Sequence, residues 1–555
     1  MQAGTSCAGC LALALIWVGC AGGQPEPPSV AAPPAAPQVT PPPAATVSQT
    51  QAPAVPAPDP PASEPATSEP PAMEPGAPQP TAPVTAPAMG AKSREPTLFS
   101  ATRGEDIMGS LFLGDIDGDG FDDFFIMARL PLTDAPSAQL GPSVRFYVYY
   151  GRASFPARLS TDDADAMFVS LGAGGRLGDV NRDGYADFAI QREAGLEIVL
   201  GSPQRLRGTI AEGTTGVRWM APAAPQGLQA QIGVTFMDVY AMGIGDYNAD
   251  GYDDMAVLAA RLLDPKGSTQ TPNVEIASSA YLVLGHGGDW PSAEWNPSWS
   301  VARFGDQRVA DDVTNGVIAY DYPLTPMPAG DLDKDGRDDL LATGSGKTFV
   351  FYGGRTLSGT VDPAQADATF THEIYVQPMA LGDADGDGAA DLVLPTRENT
   401  LQVIYGRRWS GDVSLQPDLT IDLNELEGGR AYAAAGDIDG DGSPEIVVAA
   451  PMSGYDFSSN IARLPTGALY VVRGTGTRAF GTYRLREENL LLRGPVAGGR
   501  SEEVSDSGLG TTLSMTGDVD GDGALDILTS APGAILSAQS LGAVFLIPST
   551  RKTPL

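Results

Sequence analysis

From residue 96 to residue 555 the chain is built of short apolar runs, four or five residues long and bounded by glycine, proline or acidic residues. Phe124-Phe125-Ile126-Met127, Ile446-Val447-Val448-Ala449 and Ile527-Leu528-Thr529 are typical. Runs of this length and punctuation predict buried β-strands rather than helices. A second set of apolar segments, at 146–151, 198–201, 281–285, 349–353, 403–406, 470–474 and 544–547, usually ends in an aromatic or aliphatic residue followed by glycine. Each unit therefore reads as strand, acidic turn, strand and third strand, with a more variable fourth strand to follow.

The acidic turns carry one pattern, Asp-x-[Asp/Asn]-x-Asp-Gly-x-x-[Asp/Glu], seven times, each copy preceded by glycine. The carboxylate and amide positions are Asp115, Asp117, Asp119 and Asp123, then Asp179, Asn181, Asp183 and Asp187, then Asp246, Asn248, Asp250 and Asp254. They continue as Asp331, Asp333, Asp335 and Asp339, and as Asp383, Asp385, Asp387 and Asp391. The last two are Asp437, Asp439, Asp441 and Glu445, and Asp518, Asp520, Asp522 and Asp526. Side chains at positions 1, 3 and 5 of a tight loop converge on one point, and glycine at position 6 permits the positive φ of a sharp turn. A backbone carbonyl at position 7, from Phe121, Tyr185, Tyr252, Arg337, Ala389, Ser443 or Ala524, then faces the same point. The carboxylate at position 9 closes the shell.

Three or four crowded negative charges per loop call for a divalent cation. No Cys or His lies in any loop, which excludes soft metals. Magnesium asks for a stricter octahedron, so calcium, up to seven ions, is the expected ligand. Copies two and three, with Asn at position 3, are the expected weak sites. An EF-hand is excluded: position 12 is Ile126, Ile190, Val257, Ala342, Leu394, Val448 or Thr529, and the flanks read as strands.

The first ligands fall at 115, 179, 246, 331, 383, 437 and 518. That spacing is too long for a solenoid coil and suits four-stranded propeller blades with variable loops. The fold class is all-β, a seven-bladed β-propeller with calcium loops. Little chain follows the seventh third strand, while 95–100 precedes the first loop without a blade of its own. This segment is expected to complete blade seven and close the ring, removing exposed sheet edges.

The formal charge of −34 and pI near 4.2 exclude a nucleic-acid partner, which needs a basic face. From residue 21 to 95 the chain is Pro, Ala, Thr, Ser and Gln, holding about half of the 48 prolines. Such a stretch is expected to be a disordered Pro/Ala-rich tether, of reach on the order of 200 Å if extended. All three cysteines, Cys7, Cys10 and Cys20, lie in the first twenty residues, so no disulfide framework is available. Residues 8–19 form an apolar run suited to a signal-peptide core. Its end at Trp17-Val18-Gly19-Cys20 resembles a bacterial lipobox, which implies acylation of Cys20 and, with Ala21 following, outer-membrane or cell-surface retention. Trp17 in place of leucine and the lack of a preceding Lys or Arg depart from that pattern, and a plain secretory signal is the alternative. The expected domains are 1–20 (leader), 21–95 (tether) and 96–555 (propeller).

The units resemble FG-GAP (VCBS-type) repeats, as in the seven-bladed propeller of integrin α subunits. The resemblance is carried by Ala435-Gly436-Asp437 through Ala450-Pro451, by Thr516-Gly517-Asp518 through Pro532-Gly533, and by the strands beginning at Gly467 and Gly542. It implies calcium on one rim and partner contacts on the opposite rim. Integrin α chains carry the calcium pattern in only some blades, so their ligand specificity does not transfer.

The function this implies is recognition or adhesion by a surface-tethered, monomeric head, with a protein or glycan partner and membrane contact only through an N-terminal lipid. Insertions at 265–328 and 452–507 are candidate contact regions; the first holds Trp290, Trp295 and Trp299 near Tyr320 and Tyr322, whose simpler role is packing. The alternatives are a polysaccharide- or phosphoester-cleaving propeller and an envelope scaffold. No catalytic residues are assigned. His286 and His372, the only histidines, read as exposed loop residues, and Asp162, Asp163, Asp311 and Asp312 as solvated turn acids.

Overall fold

In a computed structural model, residues 96–549 are described apart from 103, 131–143, 171, 173, 193–194, 221–238, 264–274, 313–316, 321–323, 345, 374–376, 427–430, 453–465, 496–507 and 536–540. The leader and tether, with Cys20, lie outside the described residues. Among the described residues the regular structure is β-strand with a few 3-10 turns and no α-helix.

The strands form seven antiparallel four-stranded blades. Blade one comprises Asp106–Gly114, Asp123–Arg129, Val144–Tyr149 and Ala166–Ser170 in that spatial order. Blades two to six repeat the plan, their inner strands being Gly174–Gly178, Val239–Gly245, Thr325–Gly330, Met379–Gly382 and Tyr432–Gly436. Blade seven takes Leu513–Gly517, Asp526–Ile535 and Leu541–Ile547 from the end of the chain and Thr97–Ser100 from its start. Thr97–Ser100 runs antiparallel to the third strand, with Phe99 opposite Val544. This is the expected closure, and the seven inner strands neighbour one another around the full ring.

Alternate residues of a strand point to opposite sheet faces, and in a propeller both faces are covered by neighbouring blades. The apolar runs are continuous for that reason. In Glu445–Ala450, Ile446 and Val448 enter the core shared with blade five, while Val447 and Ala449 enter the core shared with blade seven. Seven such cores fill the seven blade interfaces, including the closing one, where Phe99, Leu528 and Val544 meet Phe112, Phe124 and Tyr149.

A further device ties the blades together. Between its third and fourth strands, each blade from one to six lends a short strand that pairs in parallel with the outer edge of the preceding blade. Examples are Gly208–Ile210 on Ala166–Ser170, Gly411–Val413 on Ala368–Thr371, and Gly481–Arg484 on Leu419–Asp422. Arg158–Ser160 does the same for Thr97–Ser100. Blade seven has no continuous link between its third and fourth strands, because the two come from opposite ends of the chain.

The two expected insertions are largely blade. Residues 275–283 and 302–312 are strands of blade three, and 481–484 and 490–493 are strands of blades five and six. Trp290 and Trp295 are buried, with Trp299 packed against them, around Trp219 of blade two, ring centroids 5.1–5.8 Å from it. Packing is thus their role, and Trp219, the cluster's centre, is not distinguished in the sequence. Tyr322 lies outside the described residues, as does the Tyr320 side chain.

Candidate metal centres

Each acidic pattern spans the connection between the inner and second strands of its blade, the last carboxylate opening the second strand. The loops are wound on their own first residue. In loop one, Asp115 Oδ1 accepts from the amides of Asp117, Gly118 and Asp119, and Oδ2 accepts from Gly120 at 2.9 Å. The same bond from position 6 to position 1 is 2.7–2.9 Å in the other six loops. The position-6 glycines all have φ between 84° and 90°, as the turn requires. Position 4 is also left-handed in every loop: glycine in four, but Arg182, Ala249 and Lys334 at φ 57°, 61° and 60° in loops two, three and four. The sequence reading missed this second strained position.

The carboxylate at position 9 is buried in all seven loops. In loop four, Asp339 Oδ2 accepts from Leu332 N at 2.7 Å and Oδ1 from Gly353 N at 2.8 Å. Loops one, two, three, five and seven repeat both bonds, with Ser549 in place of the glycine in blade seven. This explains the glycine that follows the third strand in blades one to five. A Cβ on Gly353 would stand 2.5 Å from Asp338 O, too close for the amide to reach Asp339. Position 9 is therefore a buckle between three strands as well as a candidate ligand. Burial, the dominant cause, raises the carboxyls of Asp187, Asp254, Asp339, Asp391, Glu445 and Asp526 to about 7 and that of Asp123 to about 8.

Carboxylate oxygens of three residues lie within 4.8 Å of one another in five loops: Asp115, Asp117 and Asp123; Asp331, Asp333 and Asp339; Asp383, Asp385 and Asp391; Asp437, Asp439 and Asp441; Asp518, Asp520 and Asp526. Loops two and three form no such group among the described residues. There the position-3 amide bonds the position-5 carboxylate instead, Asn181 Nδ2 to Asp183 Oδ2 and Asn248 Nδ2 to Asp250 Oδ2, each at 2.9 Å.

The donor sets are all oxygen, which suits a hard divalent cation. Loop four supplies a more specific mark. The Asp333 side chain is 1 % exposed, and its Oδ1 is buried with no hydrogen-bond partner. A buried carboxylate oxygen without a partner is costly, and its carboxyl is raised first by burial and then by Asp335. These residues fit a bound cation. His286 stacks on Trp290 and His372 bonds Thr348; neither belongs to a carboxylate group. Asp163 caps the turn at Ser160, while nothing of the Asp311 and Asp312 side chains is described.

A ring of four-stranded blades with acidic loops between inner and second strands defines a seven-bladed β-propeller. Residues 433–472 and 509–547 match the FG-GAP repeat and 331–394 the FG-GAP-like repeat, so the chain contains FG-GAP repeats, spanning loops four to seven. No curated protein matches the chain in sequence. Solved structures similar to it include BBS1N in complex with ARL6DN, 11 % identical over 83 % of this chain and 97 % of that one, TM-score 0.31. The rhamnogalacturonan lyase PL11 of Bacillus licheniformis is 13 % identical over 83 % and 76 %, TM-score 0.33. At such scores neither neighbour's partner or activity bears on this chain. Among the described residues no helix is long and apolar enough to cross a membrane.

Proposed function

We propose that this chain is an exported, surface-tethered propeller whose acidic loops bind calcium and whose head recognises a protein or glycan partner. The observation that carries the calcium reading is the convergence of three acidic side chains in each of five loops, one of them with a buried, unpaired carboxylate oxygen at Asp333. Bound calcium supplies positive charge and accepts six to eight oxygen ligands. The chain's own part is to hold the carboxylates together through backbone amides, so that they are already ordered for the ion.

In this reading residues 1–20 are the leader, with acylation at Cys20, residues 21–95 hold the head away from the membrane, and 96–555 form the head. The antiparallel order supports recognition on the rim away from the acidic loops. The longest connections, after Arg129, Met220, Ala450 and Arg493, join strand ends on that rim, and connecting segments on a rigid scaffold are where binding residues concentrate.

Probing a glycan array and envelope extracts with the full chain, with and without calcium, tests this. Calcium-dependent retention of a specific glycan or surface protein is the expected result. Failure to retain any partner with calcium present contradicts the recognition role. Glycan turnover lost on Asp162→Asn would assign an enzyme instead.

A further inference from the structure

We propose that Arg205, Arg408 and Arg478 are built-in counter-cations, each reaching from one blade into the acidic loop of the preceding blade and competing there with the divalent ion. The proposal rests on the calcium reading above and concerns how tightly individual loops hold their ion. The three arginines are equivalent in the repeat. Each follows the third strand of its blade and stands three residues before the short parallel strand at Gly208, Gly411 or Gly481. Arg205 pairs through Nε with Asp117 and through Nη2 with Asp119 of loop one. Arg478 makes the same fork on Asp385 and Asp387 of loop five. Arg408 pairs with Asp333 at 2.5 Å and stands 3.9 Å from Asp335 in loop four. The paired acids are always positions 3 and 5, and position 3 is one of the three whose oxygens converge in each of these loops.

A tyrosine of the receiving blade fixes each arginine in place. The guanidinium carbons of Arg205, Arg408 and Arg478 lie 4.8, 4.6 and 5.3 Å from the ring centroids of Tyr150, Tyr352 and Tyr405. Each tyrosine hydroxyl also bonds the backbone of the residue after its arginine: Tyr150 accepts from Leu206 N, Tyr352 accepts from Trp409 N, and Tyr405 donates to Ala479 O. All three tyrosines are the residue before the third-strand glycine. In blades two and three that residue is Leu200 or Leu284, the positions matching the arginine are Trp290 and Thr356, and position 3 is Asn181 or Asn248. Tyrosine, cross-blade arginine and a position-3 aspartate thus occur together in loops one, four and five and are absent together from loops two and three. Loops six and seven also carry a position-3 aspartate, Asp439 and Asp520, but have Arg473 and Pro548 at the tyrosine position, and in loop six it is the blade's own Arg473 that stands 3.9 Å from Asp439. Among loops one to five, only those with the position-3 carboxylate receive a cross-blade cation, an association that charge explains and packing alone does not.

A guanidinium is an incomplete substitute. It brings one charge to loops holding four carboxylates, and in loop four it leaves Asp333 Oδ1 without a partner. A divalent ion brings twice the charge to the same oxygens, and the two cations repel at this range. Ion binding therefore displaces the arginine from the carboxylates while the tyrosine face keeps it on the rim. The consequence is a set of loops that stay ordered without ion and fill only at higher calcium.

Calorimetric titration of the full chain with calcium chloride, beside its Arg205→Gln/Arg408→Gln/Arg478→Gln variant, tests this. Three sites should tighten by about tenfold, and the ion-free melting temperature should fall by several degrees. Arg408→Lys, which keeps the charge, should leave the loop-four affinity near the wild-type value. If the triple variant does not fold without ion, the single Arg408→Gln variant should show one tightened site. Wild-type binding with equal or weaker binding by the variants overturns the competition while leaving the calcium reading intact. No calcium uptake by the wild-type chain overturns the calcium reading itself.

Discussion

At the residue scale, the loops depend on backbone amides, and the sharpest tests lie there. Ala249 occupies a left-handed position that glycine fills in four other loops, and such a conformation costs an L-residue about 1–2 kcal/mol. Ala249→Gly should therefore stabilise the head by about 1 kcal/mol in denaturant titration, the added freedom of the unfolded chain offsetting part of the gain. Gly353→Ala should act oppositely. Its Cβ meets the Asp338 carbonyl, the buckle to Asp339 breaks, and a loss of about 1–3 kcal/mol is expected. The buried position-9 acids set a pH dependence. Their folded-state carboxyls, at about 7 to 8, lie above the unfolded value, so the folded state binds the extra proton. The stability this gives is fully present below about pH 4 and is lost as pH rises through about 7 to 8. Without calcium the chain should melt at a higher temperature at about pH 5.5 than at about pH 8. Calcium affinity should fall over the same descent in pH, because ligand oxygens must be deprotonated to bind.

At the element scale, the strand Thr97–Ser100 is the closure, contributing a fully buried Phe99 whose ring lies 5.0–5.5 Å from Tyr149 and Phe124. Phe99→Ala should cost about 3–5 kcal/mol, whereas Phe155→Ala, at the partly buried edge of the same core, should cost distinctly less; equal losses in chemical melts would contradict closure as the source. Much of this level was legible in the sequence. Strands alternating with acidic turns, the ring of seven and its closure by the chain's start all follow from spacing and apolar runs. The parallel strands lent between blades were not, because segments such as Gly208–Ile210 and Gly481–Arg484 are short and polar and carry no periodic signal. The apolar segment at 281–285 is legible as the third strand of blade three, but its start at Glu275 and the fourth strand Ala302–Asp312 are not, because they fall within the long interval that reads as an insertion. Likewise the cross-blade arginines sit beside Tyr-Gly pairs in space, and sequence separation of 55 to 73 residues conceals that.

At the scale of the whole molecule, the propeller is a closed circuit in which each blade shares core side chains with the next and, among the described residues, every blade but the sixth also borrows an edge strand from it. Asp122, Asp253 and Asp338 extend the circuit through the acidic rim, accepting from the first ligand amides Asp518 N, Asp179 N and Asp246 N of the preceding blades at 2.7–3.0 Å. Crowded carboxylates on this rim repel one another, and a net charge of −34 adds to the strain. Divalent ions bound in these loops would therefore be part of what holds the ring shut, since a ligand that binds only the native state stabilises it by mass action. Thermal melting of the full chain in millimolar calcium and again in excess chelator tests this most directly. A melting temperature at least several degrees lower in chelator, restored when calcium is returned, is the predicted result. Superimposable transitions in the two conditions would contradict it.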